Sequence, residues 1–166
     1  MKLTQASPVS QCDGLYSIGA SIVIKAPSVV IYEILANPKR HSEFDGSGTV
    51  EASISTPARL YLNARFSMKM RFGIPYRMTN EVVEFEEGRL IAWRHMGRHI
   101  WRYKLRTIDD ESTEVTEVFD WKNARSRLAY ELLSIPKRNG KSIRDSLVRL
   151  KSLAESEVGS KNTDHS

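Results

Sequence analysis

Ile91-Ala92-Trp93-Arg94-His95-Met96-Gly97-Arg98-His99-Ile100-Trp101-Arg102-Tyr103-Lys104-Leu105-Arg106 reads as two strands folded back on each other about Met96-Gly97-Arg98. With the turn there, His95 faces His99, Trp93 faces Trp101 and Ile91 faces Tyr103. Alternate residues of a strand share a face. Ile91, Trp93, His95, His99, Trp101, Tyr103 and Leu105 therefore fall on one side, and Arg94, Arg98, Arg102, Lys104 and Arg106 on the other. Cations do not enter a core without partners, so the basic side meets water. The aromatic side has to be covered, by a core or by a ligand.

Upstream, residues 15–25 form a strand with Ile18, Ile22, Val23 and Ile24. After Ala26-Pro27-Ser28 the period changes, and Val30, Ile31, Ile34 and Leu35 share a helical stripe that stops at Asn37-Pro38. A short helical turn through Phe44 and a turn at Asp45-Gly46-Ser47-Gly48 follow. Residues 49–55 read as a strand. Leu60, Leu62, Ala64, Phe66, Met68 and Met70 then alternate with polar residues over a longer one, broken at Gly73-Ile74-Pro75. Residues 76–86 lead into the opening hairpin. Thr113 to Lys122 is the last strand, with Val115, Glu117, Phe119 and Trp121 on one face. A short helix or lid over 124–134 precedes Pro136. From Lys137 to about Glu157, Ile143, Leu147, Leu150 and Ala154 repeat at helical spacing.

The chain has 166 residues, 40% apolar and 27% charged, which suits one globular domain. Residues 1–14 read as a flexible lead-in, 15–157 as the domain and 158–166 as a flexible tail. No stretch approaches the roughly 20 apolar residues of a membrane span. The N-terminus lacks a signal-peptide core, so a cytoplasmic location is expected. A single cysteine, Cys12, excludes an internal disulfide and a Cys-based zinc site. The formal charge of +5 permits an acidic partner. Its strand-period spacing, opposite an apolar face, is explained by solvation and argues against nucleic acid.

A strand, two short helices, six strands in succession and a long helix imply an α+β fold: a seven-stranded antiparallel meander with one apolar face. The C-terminal helix is the element long enough to cover that face. A curved sheet closing around one helix leaves a pocket between them.

Several segments carry a resemblance to a known superfamily. They are Ile22-Val23-Ile24-Lys25-Ala26-Pro27 with the helix Val30 to Asn37-Pro38, the aromatic-acid pair Phe44-Asp45, Val82 to Trp93, and Thr113-Glu114-Val115-Thr116. Together they resemble the START-like, or SRPBCC, superfamily, which includes Bet v 1-like allergens, lipid-transfer START domains and polyketide cyclases or dehydrases. The likeness runs from about Leu15 to Glu157. It implies the helix-grip fold. It also implies an internal cavity for a hydrophobic small molecule such as a lipid, isoprenoid or polyketide.

Candidate chemistry follows from which residues face that cavity. Glu117 is either a carboxylate raised in pKa by an apolar cavity, or a group turned outward by a bulge to pair with a surface Arg. His95 and His99 line the mouth, as hydrogen-bonding groups or as acid and base. No third ligand lies beside them in the hairpin, so no metal and no cofactor are expected. With Tyr103, these four are the candidate catalytic groups. Phe66, Met68, Met70, Phe85, Ile91, Trp93, Trp101, Phe119, Trp121 and Leu147 are candidate ligand contacts, or simply core. Residues 124–136 and the terminal helix are the expected gate. The reading of choice is a binding or transport protein. A cyclase, aromatase or dehydrase using His, Tyr and Glu is the first alternative. An interaction module using the basic sheet face is the second.

Overall fold

The computed structural model describes residues 14–163. β1 (Ser17–Ile24) leads into α1 (Ser28–Ala36), a 3-10 turn (Pro38–Arg40) and α2 (His41–Phe44). Then come β2 (Val50–Ser55), β3 (Arg65–Phe72), β4 (Ile74–Glu86), β5 (Leu90–His95), β6 (Ile100–Asp109) and β7 (Ser112–Asp120). α3 (Arg127–Leu132) and α4 (Ile135–Thr163) close the chain. The strands form one seven-stranded sheet in the order β1-β7-β6-β5-β4-β3-β2, antiparallel at every pairing. This is the expected helix-grip architecture. The first strand pairs with the last, and α4 lies across the concave face with Ile143, Leu147, Leu150 and Ala154 buried.

Local chemistry explains the elements. β1 buries Ala20, Ile22 and Ile24 and turns Val23 outward. Pro27 caps α1 with an extended ψ of 146°, and Asn37 ends it, its side chain accepting from the Lys39 N–H at 3.1 Å. The β5–β6 hairpin has the expected register, with Ile91 opposite Tyr103 and Trp93 opposite Trp101. Its three-residue loop is completed by Arg98 at a left-handed φ of 68°.

Four boundaries differ from the sequence reading. Leu60 to Ala64 is not strand: Asn63 takes a φ of 67° and turns the chain, leaving Leu62 exposed, so the apparent alternation there is coincidental. β4 starts at Ile74, because Gly73 at a φ of 70° makes the turn alone and lets Phe72 pair with Ile74. Pro136 lies in the first turn of α4 instead of ending a helix, since its missing N–H costs nothing there. At the other end α4 runs past Gly159 to Thr163, through the segment expected as tail. The lead-in, with Cys12, falls outside the described residues.

The basic sheet face is matched by carboxylates on the same face. Arg102 is held by Glu84 at 2.5 Å and lies 3.6 Å from Asp120, Arg106 is 3.0 Å from Glu114, and Arg94 is 3.8 Å from Glu81. Cross-strand pairing therefore neutralises much of the charge that a basic interaction surface would need.

Candidate functional site

A cavity of about 110 Å³ lies between the sheet and α4. Its apolar wall comes from inward positions of the sheet: Phe66, Met68 and Met70 on β3, Trp93 on β5, and Trp101 and Tyr103 on β6. α2 and the turn after it supply His41, Phe44, Asp45 and Ser47, and α4 supplies Ser146. The rings interlock: His41 stacks on Trp93 at 4.8 Å, and Phe44 meets Tyr103 edge-on at 6.2 Å.

Into this apolar wall project a few polar groups. Glu117 is 3% exposed. It faces inward because β7 keeps continuous register from Thr113 to Asp120 with both neighbours, Tyr103 lying opposite it on one side and Ala20 on the other. That settles the two readings of Glu117 in favour of the cavity. Burial raises its pKa well above the usual carboxylate value. The nearby Tyr103 hydroxyl opposes the rise by hydrogen bonding, and Asp45 adds to it. Tyr103 is itself raised, chiefly by burial and then by Glu117. Burial thus favours the protonated acid of Glu117 and the neutral phenol of Tyr103 beside it. Asn80 and His95 sit directly opposite each other on β4 and β5. Burial, reinforced by His99, holds His95 well below its usual value, so it is a neutral imidazole.

Four buried side-chain polar atoms have no hydrogen-bonding partner in the protein among the described residues: Asn80 Oδ1, His95 Nδ1, Glu117 Oε2 and Trp121 Nε1. The first three belong to residues that line the cavity. An unsatisfied buried polar atom costs about 1–3 kcal/mol. Three of them around one cavity mark it as a place for a guest with polar atoms of its own, or for water.

The predicted residues divide into two groups. Glu117, His95, Tyr103, Phe66, Met68, Met70, Trp93 and Trp101 line the cavity. His99, Phe85, Ile91, Phe119, Trp121 and Leu147 do not. His99 lies against His95 at 4.4 Å but bonds outward, Nδ1 to the Tyr130 hydroxyl at 2.7 Å. Phe85 packs on Tyr32 at 5.9 Å. Phe119 and Trp121 stack on each other at 5.6 Å behind the wall. Ile91 and Leu147 are core, at 0% and 1% exposure. A strand pattern tells which face a residue takes but not where along that face the cavity lies.

The sequence reading missed His41, Asn80, Ser146 and the turn Asp45-Gly46-Ser47. Only Phe44-Asp45 carried a signal, as the aromatic-acid pair. His41, remote in sequence from the hairpin histidines, shares the cavity of His95 through α2. Its Nε2 donates to the Leu35 carbonyl at 2.8 Å, and burial lowers its pKa to about 4.

Of the expected gate, residues 124–136 contribute nothing to the lining, while the terminal helix contributes Ser146. Instead the Asp45 turn closes the cavity against α4. The Asp45 carboxylate accepts from the backbone N–H groups of Ser47, Thr49 and Val50, each at 3.1 Å, which rigidifies the turn. The Gly46 N–H donates to Ser146 Oγ at 2.8 Å, and Arg149 donates to the Asp45 carbonyl at 2.7 Å. A Cβ on Gly46 would lie 2.3 Å from the Ser142 carbonyl oxygen and 2.4 Å from the Ser146 nitrogen, both backbone atoms of α4. Only glycine permits this approach. Gly46→Ala is expected to cost about 1–3 kcal/mol, read from urea denaturation. A change within about 0.5 kcal/mol, the range of an ordinary surface substitution, would show that the turn does not bear on the helix.

No family model matches the chain. It is 36% identical over 138 residues to an uncharacterized protein of Mycobacterium tuberculosis, covering 80% of this chain and 62% of that one, so it spans less than two thirds of that relative's length. Among solved structures it is similar to the Zhui aromatase/cyclase of a Streptomyces species, with a TM-score of 0.66 and 17% identity over 86% of this chain and 94% of that one. It is also similar to a Polyketide_cyc-like protein of Corynebacterium glutamicum, with a TM-score of 0.58 and 20% identity over 86% of this chain and 93% of that one.

Proposed function

From a chain that has the helix-grip fold of the START-like, or SRPBCC, superfamily, we infer a binding protein for a small, flat, uncharged and mostly apolar molecule bearing a carbonyl or hydroxyl oxygen. The observation that carries this reading is the set of three unpartnered polar atoms, on Asn80, His95 and Glu117, around one ring-lined cavity. Aromatic walls favour a flat guest. A protonated Glu117 offers a hydrogen bond to a guest oxygen. With His41 and His95 also neutral, no cation in the lining balances a carboxylate on the guest.

At about 110 Å³ the cavity falls below the roughly 300–1,000 Å³ of drug-sized sites. A guest of more than one ring enters by displacing the Asp45-Gly46-Ser47 turn from α4.

A second reading rests on one feature, the proton held by Glu117. A buried carboxylic acid aimed at a bound carbonyl is placed to act as a general acid in cyclisation or dehydration. The aromatase/cyclase likeness supports that alternative at the level of fold.

A single experiment addresses both. Binding of 2-naphthol is followed by calorimetry and by the emission of Trp93 and Trp101. Glu117→Leu is expected to weaken it by about fivefold to tenfold, the value of one hydrogen bond. Unchanged affinity removes Glu117 from the site, and no binding of 2-naphthol by the unaltered protein overturns the cavity reading. Glu117→Gln separates the two readings. If the protein only binds, the amide substitutes for the acid. If it catalyses, turnover of a carbonyl substrate is lost while binding persists.

A further inference from the structure

We propose that the end of the molecule built from the β3–β4 tip, the β5–β6 tip and α3 docks on an anionic lipid surface. Phe72, Ile74, Met96, Leu128, Leu132 and Leu133 are each between 63% and 77% exposed. They are not scattered. The Arg138 guanidinium lies over the Phe72 ring at 5.0 Å, which joins the β3–β4 tip to the start of α4. The Arg125 N–H donates to the Gly97 carbonyl at 3.2 Å, and Tyr130 bonds His99, which join the β5–β6 tip to α3. A two-residue turn with Ser134 at a φ of 53° joins α3 to α4. α3 has six residues and buries none of them. Its leucines at 128 and 132 are one turn apart on the same side.

The charge around these side chains selects the occupant. Arg98, Lys122, Arg125, Lys137 and Arg138 belong to the same end, against Glu131 alone on α3. Among the described residues none of these five cations is ion-paired. This is unlike the sheet face, where carboxylates interleave with the arginines. A second copy seated here would bring like charges together, whereas anionic headgroups meet the cations and admit the apolar tips beneath them. The apolar groups sit on two hairpin tips and a short helix, which are protrusions suited to entering the headgroup layer rather than a flat face suited to a protein.

The position also serves the cavity, and this part of the inference rests on the ligand-binding reading. A groove lined by Phe72, Ile74, Tyr76, Arg138 and Ser142 reaches Ser47, which also lines the inner cavity. Ser142 and Ser146 are one turn apart on α4. A lipophilic guest leaving the bilayer at this end meets the Asp45-Gly46-Ser47 turn first.

The test is co-sedimentation of the full chain with vesicles. Binding to mixed phosphatidylcholine and phosphatidylglycerol is expected, weaker by about tenfold or more on phosphatidylcholine alone. Leu128→Ser with Leu132→Ser, and separately Lys137→Glu with Arg138→Glu, are each expected to weaken it about tenfold. All four sites are on the surface, and circular dichroism checks that the variants fold. Equal binding to both vesicle types, or none to either, overturns the proposal. So does a concentration-dependent dimer that the leucine pair abolishes, since a second copy then occupies the patch. Vesicle binding by a protein that fails to take up 2-naphthol upholds docking and removes the ligand reading. Uptake of 2-naphthol without vesicle binding does the reverse.

Discussion

Acidification from pH 6.5 toward 4 is expected to unfold this protein, with histidines rather than carboxylates as the main cause. His41 and His99 are both lowered from 6.5 to about 4 by burial, and His95 is lowered well below its usual value by burial and by His99. Each is neutral in the fold and takes up a proton on unfolding. Their contribution is therefore complete above pH 6.5 and is lost as the pH falls toward 4. At about 1.36 kcal/mol per pKa unit, His41 and His99 are each worth about 3 kcal/mol across that window. Set against a typical stability of about 5–15 kcal/mol, the two together are a large share of it. Glu117 works in the opposite direction. Its raised pKa means that the unfolded chain ionises first, so its destabilisation is greatest at high pH and fades as the pH falls toward 4.5. Ion-paired Glu33, Glu51 and Glu84 are lowered by their arginines, and the stability they add is lost only below the ordinary carboxylate value of 4.5. Denaturant midpoints measured between pH 7 and 4 should fall steeply beginning near 6.5. A midpoint flat to pH 5 would mean that the histidines titrate normally and that the interior is wetter than its packing indicates.

Phe119→Ala is expected to cost about 3–5 kcal/mol. Phe119 is 0% exposed. It lies 4.8 Å from Trp101, 5.1 Å from His99, 5.6 Å from Trp121 and 6.3 Å from Tyr130 by ring centroids. Its ring is the hub that joins β6 and β7 to α3, where Tyr130 stacks on it and also bonds His99. Truncation leaves a void the size of a ring that four rigid rings cannot collapse to fill. Chemical denaturation measures the loss. Near-UV circular dichroism should fall with it, because the aromatic packing goes together. A cost under about 1.5 kcal/mol, that of a volume-conserving swap, would mean that α3 closes over the gap. Since Phe119 stands behind the cavity wall, 2-naphthol affinity of the folded fraction should change little.

How far the fold was readable follows from what each pattern encodes. Period-two alternation with a turn at Met96-Gly97-Arg98 fixes register as well as facing, so the β5–β6 hairpin was predictable pair by pair. The C-terminal helix was equally plain, because Ile143, Leu147, Leu150 and Ala154 leave no other period. Alternation failed at Leu60 to Ala64, where the same pattern runs through a turn made by Asn63 in a left-handed conformation. The site was half legible. Inward residues of adjoining strands could be named, but Phe85, Phe119 and Trp121 share faces with cavity residues and still lie beyond its ends. His41, Asn80 and Ser146 were invisible for another reason. They converge from three elements far apart in sequence, and no local spacing records that meeting. Gly46 looked like an ordinary turn glycine. Its closeness to the α4 backbone is a tertiary fact.

The pairing of β1 with β7 sets the order in which this chain can mature on the ribosome. The hydroxyls of Ser21 and Thr116 meet at 2.8 Å across 95 residues of sequence. Among the described residues β1 has no other strand beside it. At translation rates of about 5–20 residues per second, it emerges roughly 5–20 seconds before its partner exists. Through that interval Ile22, Ile24 and the apolar stripe of α1 have nothing native to cover them. The meander from β2 to β7 assembles by short-range pairings, while β1 and α4 arrive as a late, long-range closure. Nascent chains stalled before β7 should therefore be rich targets for holding chaperones, and release of the last strand should end that attraction abruptly.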